Sequence, residues 1–211
     1  MGRALIQELL QQRAKPIALT TSPEAEFPQG VATYYWQPGL EAELEDLLQR
    51  VDILVLNHGV NVHDKRTPAA IETSLQVNTL SGWRLMEMFF ATVRTSPQRA
   101  MKEVWVNTSE AEVNPAFSPL YEISKRLMGD LVTLRRLDAT CVVRKLVLGP
   151  FRSGLNPIGV MSAETVAWAV VALAKRNIRN IVVTINPLTY IFFPLKELSH
   201  WLYFRLFSQP S

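Results

Sequence analysis

The 211-residue chain is 48% hydrophobic and 19% charged, which excludes a disordered chain and suits one domain with a real core. Its formal charge of +3 comes with no long basic cluster, so nucleic-acid binding has no support. The lone Cys141, in the apolar run TCVVRKLVL, excludes an internal disulfide and reads as core, so a reducing, cytoplasmic compartment is the default.

The N-terminal MGRALIQELLQQ lacks the basic region, long apolar run and cleavage site of a signal peptide. Its apolar residues recur at helical spacing, so a helix starts almost at residue 1. KPIALTTS and GVATYYW read as short strands. GLEAELEDLLQR reads as an amphipathic helix with Leu40, Leu44, Leu47 and Leu48 on one face. VDILVLNHG is a continuous apolar run ending in polar residues and glycine, the pattern of a strand covered on both faces. A long helical region runs from about Thr67 to Val93. MKEVWVNTS is the next strand. Residues 119–137 form a helix starting near Pro119. TCVVRKLVLG is a strand, SAETVAWAVVALAKR a helix capped by Ser162, and NIRNIVVTI a last strand. No apolar stretch is long enough to span a bilayer.

This alternation predicts an α/β fold: a Rossmann-like, doubly wound parallel sheet with helices on both faces. Ligands then bind at the carboxyl ends of the strands, which are NHG (57–59), NTS (107–109) and GPFRSG (149–154).

Tyr121 and Lys125, four apart on one helix, share a face. A phenol is a poor base at neutral pH, and a nearby ammonium favours its ionised form. Such a pair can pass a proton to or from a substrate oxygen. Ser109 or Thr108, on the neighbouring loop, can hold that oxygen. Asn78, inside the long helical region, can bind a structural water or a backbone carbonyl. Each of these residues taken singly is more often an ordinary helix or turn residue. His58 and His63 lack a third candidate ligand at sensible spacing, so no metal is expected.

Taken together, these residues resemble the short-chain dehydrogenase/reductase family over nearly the whole chain. YEISK matches the family's Tyr-x-x-x-Lys motif. VDILVLNHG resembles the strand leading into the family's Asn-Asn-Ala-Gly turn, with Asn57 and Gly59 matching and His58 altering the middle. Asn78 matches the asparagine of the Asn-Ser-Tyr-Lys tetrad, and VWVNTS resembles the strand before the catalytic serine. LGPFRSGL resembles the Pro-Gly turn beside the nicotinamide, here as Gly149–Pro150, with Ser153 where a threonine often stands. The resemblance implies an NAD(P)-dependent oxidoreductase interconverting a carbonyl and an alcohol. Tyr121 would be the acid/base, Lys125 its partner and ribose contact, Ser109 the holder of the substrate oxygen, and Asn78 the support of the proton path.

Three departures qualify this. Thr108 occupies the family serine's spacing and Ser109 lies one residue nearer Tyr121; Ser109 is preferred because it follows its strand as the family serine does. Glu110 beside it is expected to place negative charge near the substrate oxygen. The family also begins with a strand and a Gly-x-x-x-Gly-x-Gly turn over the cofactor pyrophosphate, of which only the last glycine, Gly2, has a counterpart. Either the true start lies upstream, or cofactor binding is weak or lost. A non-catalytic or membrane-associated protein on this fold is therefore the alternative function. Thr21 and Ser22 stand where NAD users carry an acid, which favours NADP over NAD.

The Rossmann-like domain is expected over 1–189 and an aromatic-rich helical segment over 190–211, broken near its start by Pro194. Three roles are open for the segment: a homodimer surface, a wall for an apolar or lipid-like substrate, or a helix lying in a membrane interface.

Overall fold

The computed structural model describes residues 1–153, 156 and 159–209. Its elements in chain order are α1 (Gly2–Gln11), β1 (Ile17–Thr20), β2 (Ala32–Tyr35), α2 (Glu45–Arg50), β3 (Ile53–Leu56), α3 (Pro68–Leu75), α4 (Ser81–Ala91), α5 (Ser96–Met101), β4 (Glu103–Asn107), α6 (Pro119–Arg135), β5 (Val142–Leu148), α7 (Ala163–Lys175), β6 (Asn180–Val183) and α8 (Thr189–Phe207). Every strand pairing is parallel, in the orders β1-β2 and β3-β4-β5-β6. Parallel strands need helical crossovers, and these cover both faces. Leu44, Leu47, Leu48, Leu85, Met86, Phe89, Met128 and Val132 fill one side. Leu5, Val166, Ala167, Val170 and Val171 of α1 and α7 fill the other, against Trp105, Leu146 and Ile181.

The facing edges of β1 and β3 do not pair. Between them lies a cleft of about 940 Å3, lined by Leu5, Ile6 and Leu9 of α1, by both strands, and by Trp36 and Trp105. The doubly wound sheet is thus present as two parallel parts flanking this cleft.

Several local readings change. The helix expected over GLEAELEDLLQR opens with a 3-10 turn, Glu41–Leu44, and Leu40 precedes it and stays exposed. MKEVWVNTS becomes a strand only from Glu103. Met101 ends α5, which Thr95 starts with a capping box to Gln98 and Pro97 in its first turn. The long helical region is continuous in space but contains a π-helical turn, Gln76–Leu80. Ser162 caps α7 as expected, accepting from the Thr165 N–H at 3.0 Å. Pro194 does not break α8. Tyr190 and Pro194 are both exposed, so the carbonyl left without a partner can bond water.

Candidate active site

The parallel register sets Leu56 beside Val106, so the residues that follow, Asn57 and Asn107, meet at the carboxyl edge of the sheet. The Asn107 side chain donates to Asn57 Oδ1 at 2.9 Å, and its own Oδ1 accepts the Ser109 N–H at 3.2 Å. Its backbone carbonyl accepts from Lys125 Nζ at 3.0 Å. Asn107 therefore ties together two strand ends and the α6 lysine. Sequence reasoning placed it at the ligand edge in NTS but gave it no role.

Lys125 is buried, with Nζ 5.8 Å from the Tyr121 ring centre. Burial pulls its ammonium down to about 8, against a smaller upward pull from Glu112. The Tyr121 phenol is shifted upward by burial, with Ser109 hydrogen bonding acting against that shift. The lysine was expected to lower the phenol; the shift instead runs upward with burial as its largest cause, and Ser109, not Lys125, supplies the opposing pull. The resting phenol therefore keeps its proton.

Asn78 sits within the π-helical turn, a distortion often found at functional sites. It accepts the Val60 N–H at 2.8 Å and donates to the Val60 carbonyl at 2.9 Å. Ser124 and Ser74 hydroxyls accept from the same amide group. Asn78 thus clamps the backbone after Gly59, the carbonyl contact anticipated for it. A side chain at Gly59 would press on the site: a Cβ there would stand 3.0 Å from Asn78 Oδ1, a tight contact, and 3.7 Å from Lys125 Nζ.

Ser109 takes a φ of +68°, unusual for a residue with a side chain and a form of strain that collects at functional sites. Thr108 is wholly buried, so only Ser109 is placed to meet Tyr121. Glu110 does not face a substrate oxygen as expected. Its carboxylate accepts from Thr184 Oγ1 at 2.7 Å, Thr189 Oγ1 at 2.6 Å and Asn114 Nδ2 at 3.2 Å, which ties it to β6 and the start of α8. Gly149 lies under the same residues: a Cβ there would collide with Thr184 Oγ1. Pro150, exposed, bonds back to Val160 through its carbonyl. Ser153 Oγ accepts the Asn156 N–H at 3.2 Å, so it closes its own turn. Gly154 and Leu155 of the LGPFRSGL motif lie outside the described residues. Gly2 opens α1, and a Cβ there would lie 3.8 Å from Asn57 Nδ2.

His58 packs edge-on against Trp36 at 5.3 Å, and burial lowers its pKa to about 4, with Lys125 adding to the effect. Its folded pKa lies below the ordinary 6.5, so the unfolded chain binds more protons between the two values. Stability then falls as pH drops through that window. From pH 7 to pH 5 the loss from this group is about 2 kcal/mol. Urea unfolding at both pH values, in the wild type and in His58→Gln, should show that part of the pH dependence vanish in the variant.

No family model matches the chain. Monoglucosyldiacylglycerol epimerase of a Synechocystis species is 57% identical over 216 residues, taking in 100% of this chain and 53% of that protein. The chain thus spans about half the length of the curated relative it matches. A short-chain dehydrogenase from Burkholderia cenocepacia in complex with NADP superposes with a TM-score of 0.75 at 15% identity, covering 98% of this chain and 92% of that one. A short-chain dehydrogenase from Sphingobium yanoikuyae in complex with NADPH gives 0.72 at 17% identity over 99% and 92%. An alcohol dehydrogenase from Thermococcus sibiricus gives 0.66 at 18% identity over 87% and 90%. At these identities the structural likeness shows the fold, an α/β Rossmann-like parallel sheet.

Proposed function

We propose that the chain is a short-chain dehydrogenase/reductase that carries out an NAD(P)-dependent oxidoreduction at a hydroxyl-bearing carbon of a glycolipid-like substrate on a cytoplasmic membrane surface, a reading supported by its fold, its Tyr-x-x-x-Lys motif and its curated relative. One observation carries it. Lys125 is a buried ammonium whose hydrogen bond, among the described residues, goes to the Asn107 carbonyl, so it keeps N–H donors for a ligand next to Tyr121.

The residues present fit the nicotinamide–ribose end of the cofactor. Lys125 would hold ribose hydroxyls, the bare backbone of Gly59 would let the ring approach, and Asn57, Gly149 and Pro150 would line the site. Ser153 would act only if its turn opened. Gly2, at the start of α1, would lie toward the pyrophosphate end. Bound nicotinamide supplies the hydride acceptor and donor. Ser109 then orients the substrate oxygen, and protonated Tyr121 is set to give its proton to a carbonyl oxygen, or in reverse to take one from a hydroxyl. Lys125 stabilises the phenolate left behind, and Asn78 holds the Val60 backbone so that the pocket keeps its shape. NADP is favoured over NAD, since Thr21 and Ser22 leave room for a 2'-phosphate and two of the structural neighbours were solved with NADP or NADPH.

The relative's name adds stereochemistry. A hydroxyl carbon oxidised to a carbonyl and reduced again from its other face is inverted, with no net use of cofactor. The test is to incubate the chain with NADP and vesicles carrying a monoglucosyldiacylglycerol and to resolve the sugar by NMR. Inverted sugar or accumulated reduced cofactor, dependent on added NADP, is the expected result. Inversion that proceeds undiminished in cofactor-stripped protein would refute the redox step.

The cleft left open between the unpaired edges of β1 and β3 supports a second reading, a non-catalytic, membrane-associated protein. That reading predicts no saturable cofactor binding by folded protein.

A further inference from the structure

α8 is assembled inside out. An amphipathic helix normally turns its apolar stripe to the core and its charges to water. Here the charges face the body. Glu197 bonds Arg136 at 2.8 Å and Lys145 at 2.6 Å, Lys196 bonds Glu112 at 2.9 Å and Asp130 at 2.8 Å, and His200 bonds Asp130 at 2.9 Å. Thr189 and Phe193 are the buried residues of the helix. Ile191, Leu195, Leu198, Leu202 and Leu206 recur three and four apart on the outer side and are exposed, Leu206 to 73%. Tyr190, Tyr203 and Phe207 flank them. α8 is thus a ridge about 28 Å long that is apolar outward and pinned inward by ion pairs.

We propose that this face of α8 seats the protein on a lipid bilayer, with its leucine stripe in the headgroup–acyl boundary. The composition of the face selects this occupant. Its one exposed charged residue is Arg205, stacked 5.2 Å from the Trp201 ring, while the helix's one carboxylate, Glu197, is turned inward. Tyrosines and tryptophan beside an apolar stripe, with a cation and no outward acid, match an interface with anionic lipid. No described helix is long and apolar enough to cross a membrane, so the helix would lie along the surface. The ridge also leads to the site. Thr189, at its start, bonds Glu110, the neighbour of Ser109, and the nearby Leu188, Ile185 and Phe117 are exposed, Phe117 to 97%. A docked helix would hold the Ser109–Tyr121 edge near the headgroups. The inference rests on the lipid-like substrate proposed above for its purpose, but not for its test.

That test is flotation with vesicles of phosphatidylglycerol and phosphatidylcholine that contain no substrate, for the wild type and for Leu198→Glu/Leu202→Glu. Both leucines are exposed, so the variant should melt with the wild type. The wild type should float and the variant lose about tenfold or more of its binding. Equal flotation of both proteins, or none by folded wild type, would overturn the proposal. A wild-type dimer split by the variant in light scattering, without vesicle binding by either, would assign the face to a second copy instead. Turnover of a water-soluble short-chain glucoside should be unchanged in the variant, so loss of docking and loss of the chemistry read out separately.

Discussion

Replacing Tyr121 with phenylalanine should cut turnover by roughly a thousandfold while leaving the protein folded. The substitution removes one oxygen and keeps the ring that packs beside Lys125. The hydroxyl is the group placed to move a proton, since burial keeps it protonated and the Ser109 hydroxyl adjoins it. If Tyr121 were an ordinary helix residue, the same change would leave rate and stability nearly untouched. Steady-state rates and a melting curve on one preparation settle it. Lys125→Met should also lose most activity, but through weakened cofactor binding as well, because its amine is both ribose contact and phenolate partner.

The largest effect on stability should come from Lys145→Met. Lys145 lies in β5 with no exposed side-chain surface, donating to Glu112 at 2.8 Å, Thr133 at 2.8 Å and Glu197 at 2.6 Å. Glu112 is equally buried. Removing the ammonium leaves a dry carboxylate short of its main partner, and breaking a buried pair from one side costs about 3–5 kcal/mol. Lys196 and Arg136 still face Glu112 and Glu197, which limits the loss and argues for the lower end. Denaturant unfolding should show it. Adding Glu112→Gln should recover part of the loss, because the stranded charge is then gone. The same variant should also loosen α8, which Glu197 and Lys196 pin to this cluster.

The pattern of the fold was legible where it is local. Continuous apolar runs marked buried parallel strands, and Tyr121 and Lys125 could be set on one helix face by spacing alone. What escaped reading depends on partners far away in the chain. TCVVRKLVLG reads as apolar, yet its strand buries Arg144 and Lys145 because Glu103, Glu112 and Glu197 arrive from three other segments. Glu110 looked like an active-site charge; Thr184 and Thr189, more than seventy residues on, absorb it. Asn107 became a hub only once the register put it beside Asn57. The aromatic tail was recognised as unusual, and a homodimer surface, a substrate wall and a membrane-interface helix all stayed open for it, because periodicity does not say which side of a helix meets the body. Only the acids and bases waiting on the body settle that. The π-helical turn at Asn78 has no local signature in LQVNTLSGW; it coincides with the bonds Asn78 makes to the Val60 backbone, eighteen residues away.

In the proposed function the edge built by Asn57, Gly59, Asn107 and Lys125 holds a nicotinamide cofactor against Tyr121. Titration of the purified, folded chain with NADPH, following energy transfer from tryptophan to the nicotinamide, tests this. Trp36 and Trp105 line the neighbouring cleft and report on it. Saturable quenching that weakens in Lys125→Met is the predicted result. A folded chain that shows no saturable change would contradict the redox chemistry and leave the membrane-associated, non-catalytic reading standing.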